Sequence, residues 1–289
     1  MSLASAIRHP ALRQRGPVLS RLFLYLLMAV LGWVFVAPLL FMFVGSVKPN
    51  DLVLGDGSSW RAFVPIPFHP NFADAVAFSD FYQLFRNSVI ISGSVVLGGV
   101  LINSLAGYSL ARLRFPGRKA LITIVVILLI IPFQVVALPI LLLMSWAGLV
   151  DTYIVQIVPF LASPFLIFFF YTFFLTLPTE LDEAARLDGA GPFTIYWRIM
   201  LPMSGPAIAT SIILGFLFNW GELFWPLMVT RGIDVRPVTV GLTVIGSTRP
   251  VQWGEFMAVA TMITLPILVV FIVFQRAFVR SVATSGIRG

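Results

Sequence analysis

Six apolar stretches, each long enough to cross a lipid bilayer, constrain this chain before any single residue does. They lie at about 22–47, 88–110, 120–145, 153–177, 206–229 and 256–279. A hydrocarbon core of about 30 Å needs roughly 20 apolar residues per helix. An unpaired backbone amide in that core costs several kcal/mol, so the stretches are read as helices rather than open strands. The run from Phe165 to Phe174 is aromatic enough for a strand, but its length and lipid setting decide for helix. Only 11% of the 289 residues are charged, where soluble domains carry about 25%. The predicted fold class is therefore an all-α polytopic membrane protein with six transmembrane helices. Residues 1–21 form an amino-terminal segment, and 22–289 form a single transmembrane domain.

Charge placement sets the topology. The net charge of +7 sits in short basic clusters between apolar runs, which argues against nucleic-acid binding and for an orientation signal. With the amino terminus inside, the inner segments hold Arg8, Arg13, Arg15, Arg21, Arg112, Arg114, Arg118, Lys119, Arg186, Arg198, Arg276, Arg280 and Arg288. The outer segments hold Lys48, Arg61, Arg86, Arg231, Arg236 and Arg249, a split of 13 against 6. Both termini are thus expected in the cytoplasm. The first apolar stretch is too long for a signal-peptide core of about 7–15 residues and lacks an A-x-A-like site, so it reads as a retained span. With no cysteine, the chain has no disulfide framework, thiolate zinc site or cysteine nucleophile.

Two loops stand out. The outer loop, about 48–87, contains Pro65, Pro67 and Pro70 and reads as ordered but irregular. The inner loop, 178–205, reads PTELDEAARLDGAGPFTIYWRIMLPMSG. Thr179 and Asp182 have capping-box spacing. Glu180, Asp182 and Glu183 load the first turns with the sign the helix dipole favours. Gly189 and Gly191 supply a bend, and Pro192 suits the first turn of a second helix that runs to about Met200 and halts near Pro202. From the residues alone, a well-capped connector explains this loop as well as any function does.

The spacing of Glu183-Ala184-Ala185, Gly189, Ile199 and Leu201-Pro202 resembles the EAA loop of ABC-importer permeases, in the expected place before the penultimate span. The likeness extends through Asn87-Ser88, Ala106-Gly107-Tyr108, Ala111-Arg112 and Phe115-Pro116-Gly117. It continues through Gly148-Leu149-Val150-Asp151-Thr152, Asn219-Trp220-Gly221-Glu222, Trp225-Pro226-Leu227, Trp253-Gly254, Gln275-Arg276 and the tail Gly286 to Gly289. In this order it is similar to the carbohydrate-uptake branch and its maltose-permease-like subunit. Gly107 and Gly221 are mild departures, at places where Ala and Asn are common.

That resemblance implies a cytoplasmic coupling-helix loop. Glu183, Ala184, Ala185, Arg186, Asp188 and Gly189 would seat in a separate ATPase subunit, with the two alanines allowing close approach. It implies four kinds of partner: a homologous second permease, two ATPase subunits, an extracytoplasmic sugar-binding protein, and the sugar itself. Ser285 to Gly289 would lie near the ATPase pair, or are a frayed end. No cofactor is expected on this chain; ATP and Mg would sit in the ATPase subunits, since no G-x-x-x-x-G-K-[ST] phosphate loop occurs here. The expected location is the prokaryotic cell membrane.

Glu222 is the one acidic residue well inside a predicted span, with Asn219 and Trp225 at helical spacing on its side. Two readings stand: part of a sugar-facing path, or a helix-packing cluster. Asn103, Gln134 and Gln156 are read as interhelical hydrogen-bonders, and Pro38, Pro132, Pro139, Pro159, Pro164, Pro226 and Pro266 are expected to kink or break helices. The expected function is the permease of an ATP-driven sugar importer; a non-sugar solute such as glycerol phosphate or a polyamine is the alternative. A proton-coupled carrier is poorly served by a single intramembrane carboxylate. A membrane enzyme would need H-E-x-x-H, G-x-S-x-G or paired aspartates, which are missing.

Overall fold

The structure is a computed structural model that describes residues 18–286, with side chains described from 20 to 275. Arg8, Arg13, Arg15 and Arg288 and the end of the tail lie outside the described residues. So do the side chains of Arg276, Arg280 and Ser285. The described residues are all-helical, and the chain order follows the apolar pattern. Helix α1 spans Val18–Gly45, followed by α2 Asn50–Gly55, a 3-10 turn Trp60–Phe63, α3 Phe72–Ser79 and the long α4 Phe81–Arg112. Next come α5 Arg118–Ile130 and α6 Phe133–Trp146. Helix α7, Tyr153–Ile157, then leads through a 3-10 turn to α8 Pro164–Thr176. The inner loop holds α9 Glu180–Leu187, α10 Pro192–Ile195, a π turn Tyr196–Met200 and α11 Leu201–Met203. The chain closes with α12 Gly205–Trp220, α13 Phe224–Val229, α14 Val238–Ser247 and α15 Trp253–Gly286.

Helix α4 is the centre: it packs along α8 and α12, and α12 in turn packs on α15. Its glycines let the backbones close in. A Cβ on Gly107 would lie 2.6 Å from Phe170 Cβ and 2.8 Å from the Tyr171 nitrogen, so the Gly107 departure is not mild in this molecule. Asn103 on α4 makes the expected bridge, donating to the Leu161 carbonyl (3.0 Å) and accepting from the Ser163 amide (2.8 Å). Helix α1 stands apart, its lower two-thirds exposed and its outer end against α15.

Pro132 breaks its span as expected: the stretch 120–145 is α5 and α6, bent by 105° at Ile131–Pro132. Pro132 cannot donate the amide that would continue α5, and the segment restarts at Phe133. Two other expectations need correction. The stretch 206–229 is α12, which stops at Trp220, and the six-residue α13 beyond a break at Gly221–Leu223. Four stretches qualify as spans by themselves, and six only when two bent pairs each count as one: α5 with α6, and the segment Pro192–Met203 with α12, which meet at 78°.

The outer loop is the second correction, being neither irregular nor 40 residues long. It folds α2, the 3-10 turn and α3 around a buried lysine, and α4 already begins at Phe81. Lys48 is only 1% exposed. It donates to Asp56 Oδ2 and to the Arg61 carbonyl, both at 2.7 Å, so its charge is paired as burial demands. Asn71, fully buried, donates to the carbonyls of Ser46, Lys48 and His69. Asn50 accepts from the Gly254 amide at 2.6 Å, tying this knot to the start of α15.

Candidate functional site: the inner-face elbow

Residues 178–205 form two short helices meeting at a bend. Gly189 has φ +79°, a conformation that disfavours any residue with a Cβ, and its amide closes α9 on the Arg186 carbonyl. Pro192 opens α10 as expected. One detail differs. Thr179 flanks α9 with near-helical angles and makes no side-chain cap; only its carbonyl accepts, from the Asp182 and Glu183 amides. The capping box is not formed because Asp182 is committed elsewhere. The second limb ends near Pro202 as expected, at Met203, where the chain turns through 78° into α12. The π turn places the Leu201 amide on the Tyr196 carbonyl, five residues back, and the chain continues helically to Met203. The wider turn relieves the clash that a proline imposes on the preceding carbonyls.

The elbow is bolted to the bundle from the inside. Asp182, though on the exposed loop, is buried and pairs with Arg112 at the end of α4, Nη1 to Oδ2 at 3.1 Å. The other guanidinium nitrogen, Nη2, donates to the Leu177 carbonyl at 2.6 Å. Tyr108 donates to the Pro192 carbonyl at 3.1 Å, and the Ser104 and Tyr196 hydroxyls meet at 2.8 Å. Ile195, Tyr196 and Met200 are fully buried against Phe170, Phe174 and Ala207. Burial raises the Asp182 carboxyl above its ordinary 3.8, while Arg112 and then Arg186 pull it back.

These bolts set which residues of the sequence motif face outward. Glu183, Ala184, Arg186, Asp188 and Gly189 are exposed. Ala185 is not: it is buried beside Tyr108 and Phe174, so its small side chain serves approach to this chain's own bundle. The outer face also carries Leu187 at 90% exposure, with Phe193 and Trp197 exposed beside the bend. Sequence reading missed Arg112, Tyr108 and Ser104 as supports. The available signal was Asp182 itself: in α9 it shares a face with Leu181 and Ala185, where a carboxylate needs a cation.

The proposed path residues do not form one face. Because α12 ends at Trp220, the helical spacing of Asn219, Glu222 and Trp225 is not realised. Asn219 turns back to donate to the Gly215 carbonyl at 2.8 Å. Glu222, half-buried in the break, accepts from the Trp225 amide at 3.2 Å and so caps α13. Trp225 is entirely buried; its indole donates to the Val155 carbonyl at 2.9 Å and lies edge-on to Phe133 and Phe160. Gln156 donates to the Val235 carbonyl and Asn87 to those of Ile233 and Arg236, holding the outer loop between α13 and α14. Gln134 is exposed and bridges no helices. Among the described residues no cluster of three or more histidine, aspartate or glutamate side chains could hold a metal.

Comparison with known proteins places this geometry. Residues 99–284, which include the whole elbow, match the model of the binding-protein-dependent transport system inner membrane component family. The arabinooligosaccharides transport system permease protein AraQ of Halalkalibacterium halodurans is 34% identical over 284 residues, covering 96% of this chain and 99% of its own length. The sn-glycerol-3-phosphate transport system permease protein UgpE of Yersinia pestis is 31% identical over 207 residues, covering 71% of this chain and 74% of its own. A chain from the crystal structure of a bacterial ABC transporter that imports the acidic polysaccharide alginate shares the fold. Its TM-score is 0.78 at 20% identity, covering 91% of this chain and 99% of that one.

Proposed function

Because this chain belongs to the binding-protein-dependent transport system inner membrane component family, we propose that it is one permease subunit of an ATP-driven sugar importer. It forms the translocation path with a homologous second permease and receives solute from an extracytoplasmic sugar-binding protein. Energy comes from two ATPase subunits that bind the ATP and Mg, and this chain itself catalyses nothing. Both termini lie in the cytoplasm, as the basic residues favour. Sugar is favoured as the solute because the likeness to the arabinooligosaccharide permease runs the full length of both chains. The shorter match to the glycerol-phosphate permease supports that solute as the second reading.

The observation that carries the mechanism is the two-sided elbow. Its inner side is held by Asp182–Arg112 and the Tyr196 cluster, while its outer side offers Glu183, Ala184 and a bare Leu187. A helix bare on one face and bolted on the other passes displacement on instead of absorbing it. ATPase closure pressing on α9 is transmitted through Arg112 to α4 and through Ile195, Tyr196 and Met200 to α8 and α12. Packed interiors transmit such strain because they compress little.

The test is ATP-driven uptake by the reconstituted importer carrying Glu183→Ala or Gly189→Val. Both are expected to lose uptake while the binding protein keeps its affinity for solute. Valine at Gly189 adds about 1–2 kcal/mol of left-handed strain and moves the outer face. Normal uptake in both variants removes the coupling role from this loop.

A further inference from the structure

At the inner end of the bundle, the α4–α5 connection, the start of α5 and Tyr171 of α8 line an open cavity of about 760 Å³. Its rim is cationic, with Arg114, Arg118 and Lys119, and its floor is apolar, with Phe115, Ile122 and Tyr171. No carboxylate lines it. Arg118 is partly occupied, donating to the carbonyls of Leu110 (2.7 Å) and Ala111 (3.2 Å) at the end of α4. Arg114 and Lys119 are exposed. Among the described residues the ion pairs are Lys48–Asp56 and Arg112–Asp182, so neither of these cations is neutralised by a described residue.

Depth decides what fits. The apolar run of α4 ends at Ala111 and that of α5 begins at Ala120, so the three cations sit where hydrocarbon gives way to water. Tyr171 lies five residues before the end of α8, about 7.5 Å deeper in the bilayer. Helix α5 buries none of its residues within this chain, so the floor opens onto an apolar flank. We propose that this cavity binds an anionic phospholipid, its phosphate held by Arg114, Arg118 and Lys119 and an acyl chain laid over Phe115, Ile122 and Tyr171. A soluble anion would use the rim and leave the floor bare; a lipid uses both. Basic pockets between helices on the cytoplasmic side are where anionic headgroups are held.

The test is native mass spectrometry of the assembled importer titrated with phosphatidylglycerol, phosphatidylcholine or inorganic phosphate. It reads lipid retention, not transport, so its outcome is separable from that of the coupling mutants. Phosphatidylglycerol is expected to be retained in preference to phosphatidylcholine. Arg114→Gln with Lys119→Gln should weaken that retention roughly thirtyfold. Arg231→Gln, on the outer loop, should leave it unchanged. If the double variant does not assemble, Lys119→Gln alone should weaken retention about fivefold. Equal retention of both lipids, insensitivity to the cation variants, or displacement of phosphatidylglycerol by millimolar inorganic phosphate would each overturn the proposal.

Discussion

Arg112 and Asp182 are a pair whose parts are worth less alone than together. Removing one member of a buried ion pair leaves an uncompensated charge and costs about 3–5 kcal/mol, whereas replacing both by apolar groups is often neutral. Arg112→Met is therefore expected to lower the unfolding temperature of the purified assembly, and Arg112→Met with Asp182→Leu to recover most of the loss. Failure of the double variant to recover would mean the pair is not isolated from its surroundings. The pH dependence has an unusual sign. Most ion-paired carboxylates titrate below their ordinary value, but burial outweighs Arg112 at Asp182 and its value is raised. The extra stability of the docked loop is complete below 3.8 and is lost as pH rises through that raised value. Hydrogen exchange at the α9 amides, corrected for intrinsic rates, should therefore slow as pH falls through the raised value toward 3.8. Faster corrected exchange on acidification would contradict this balance.

At the scale of elements, the elbow and the break at Pro132 were largely legible, and the break after Trp220 was not. The elbow's bend was written in Gly189, its second limb in Pro192, and its motif spacing in Glu183 through Pro202. All of these are local backbone preferences, which survive without tertiary information. What could not be read was partnership. Asp182 looked like a dipole-favoured first-turn acid until Arg112, seventy residues away in sequence, was brought beside it. Apolar length likewise could not reveal that α12 stops at Trp220, since the break depends on Glu222 and Thr239 satisfying the freed backbone. Glu222 caps α13, and its carbonyl accepts from the Thr239 hydroxyl at 2.9 Å. This separates the two readings of that carboxylate. Glu222→Gln keeps an acceptor oxygen for the cap, so it should change stability by less than about 1 kcal/mol. A fall in uptake without loss of stability would put the charge on the solute path. Trp225→Ala should cost about 3–5 kcal/mol as a core truncation, whatever the path.

For the molecule as a whole, orientation is the claim on which all others are hung. The chain has no native cysteine, so single cysteines can be placed without background. Leu187→Cys in α9 and Arg231→Cys beyond α13, both exposed, are expected to label from opposite faces of sealed vesicles with an impermeant maleimide. Labelling of both from the same side would refute the inside placement of the elbow. The fold itself carries one more implication. The third apolar stretch turns through 105° at Pro132, α5 buries no residue in this chain, and α6 buries only Ala137. Such a limb cannot work as a piston, because a thrust along one arm runs nearly crosswise to the other. Moved as one rigid piece it would act as a crank: a small tilt of the arm near Arg118 would sweep the arm near Trp146 sideways.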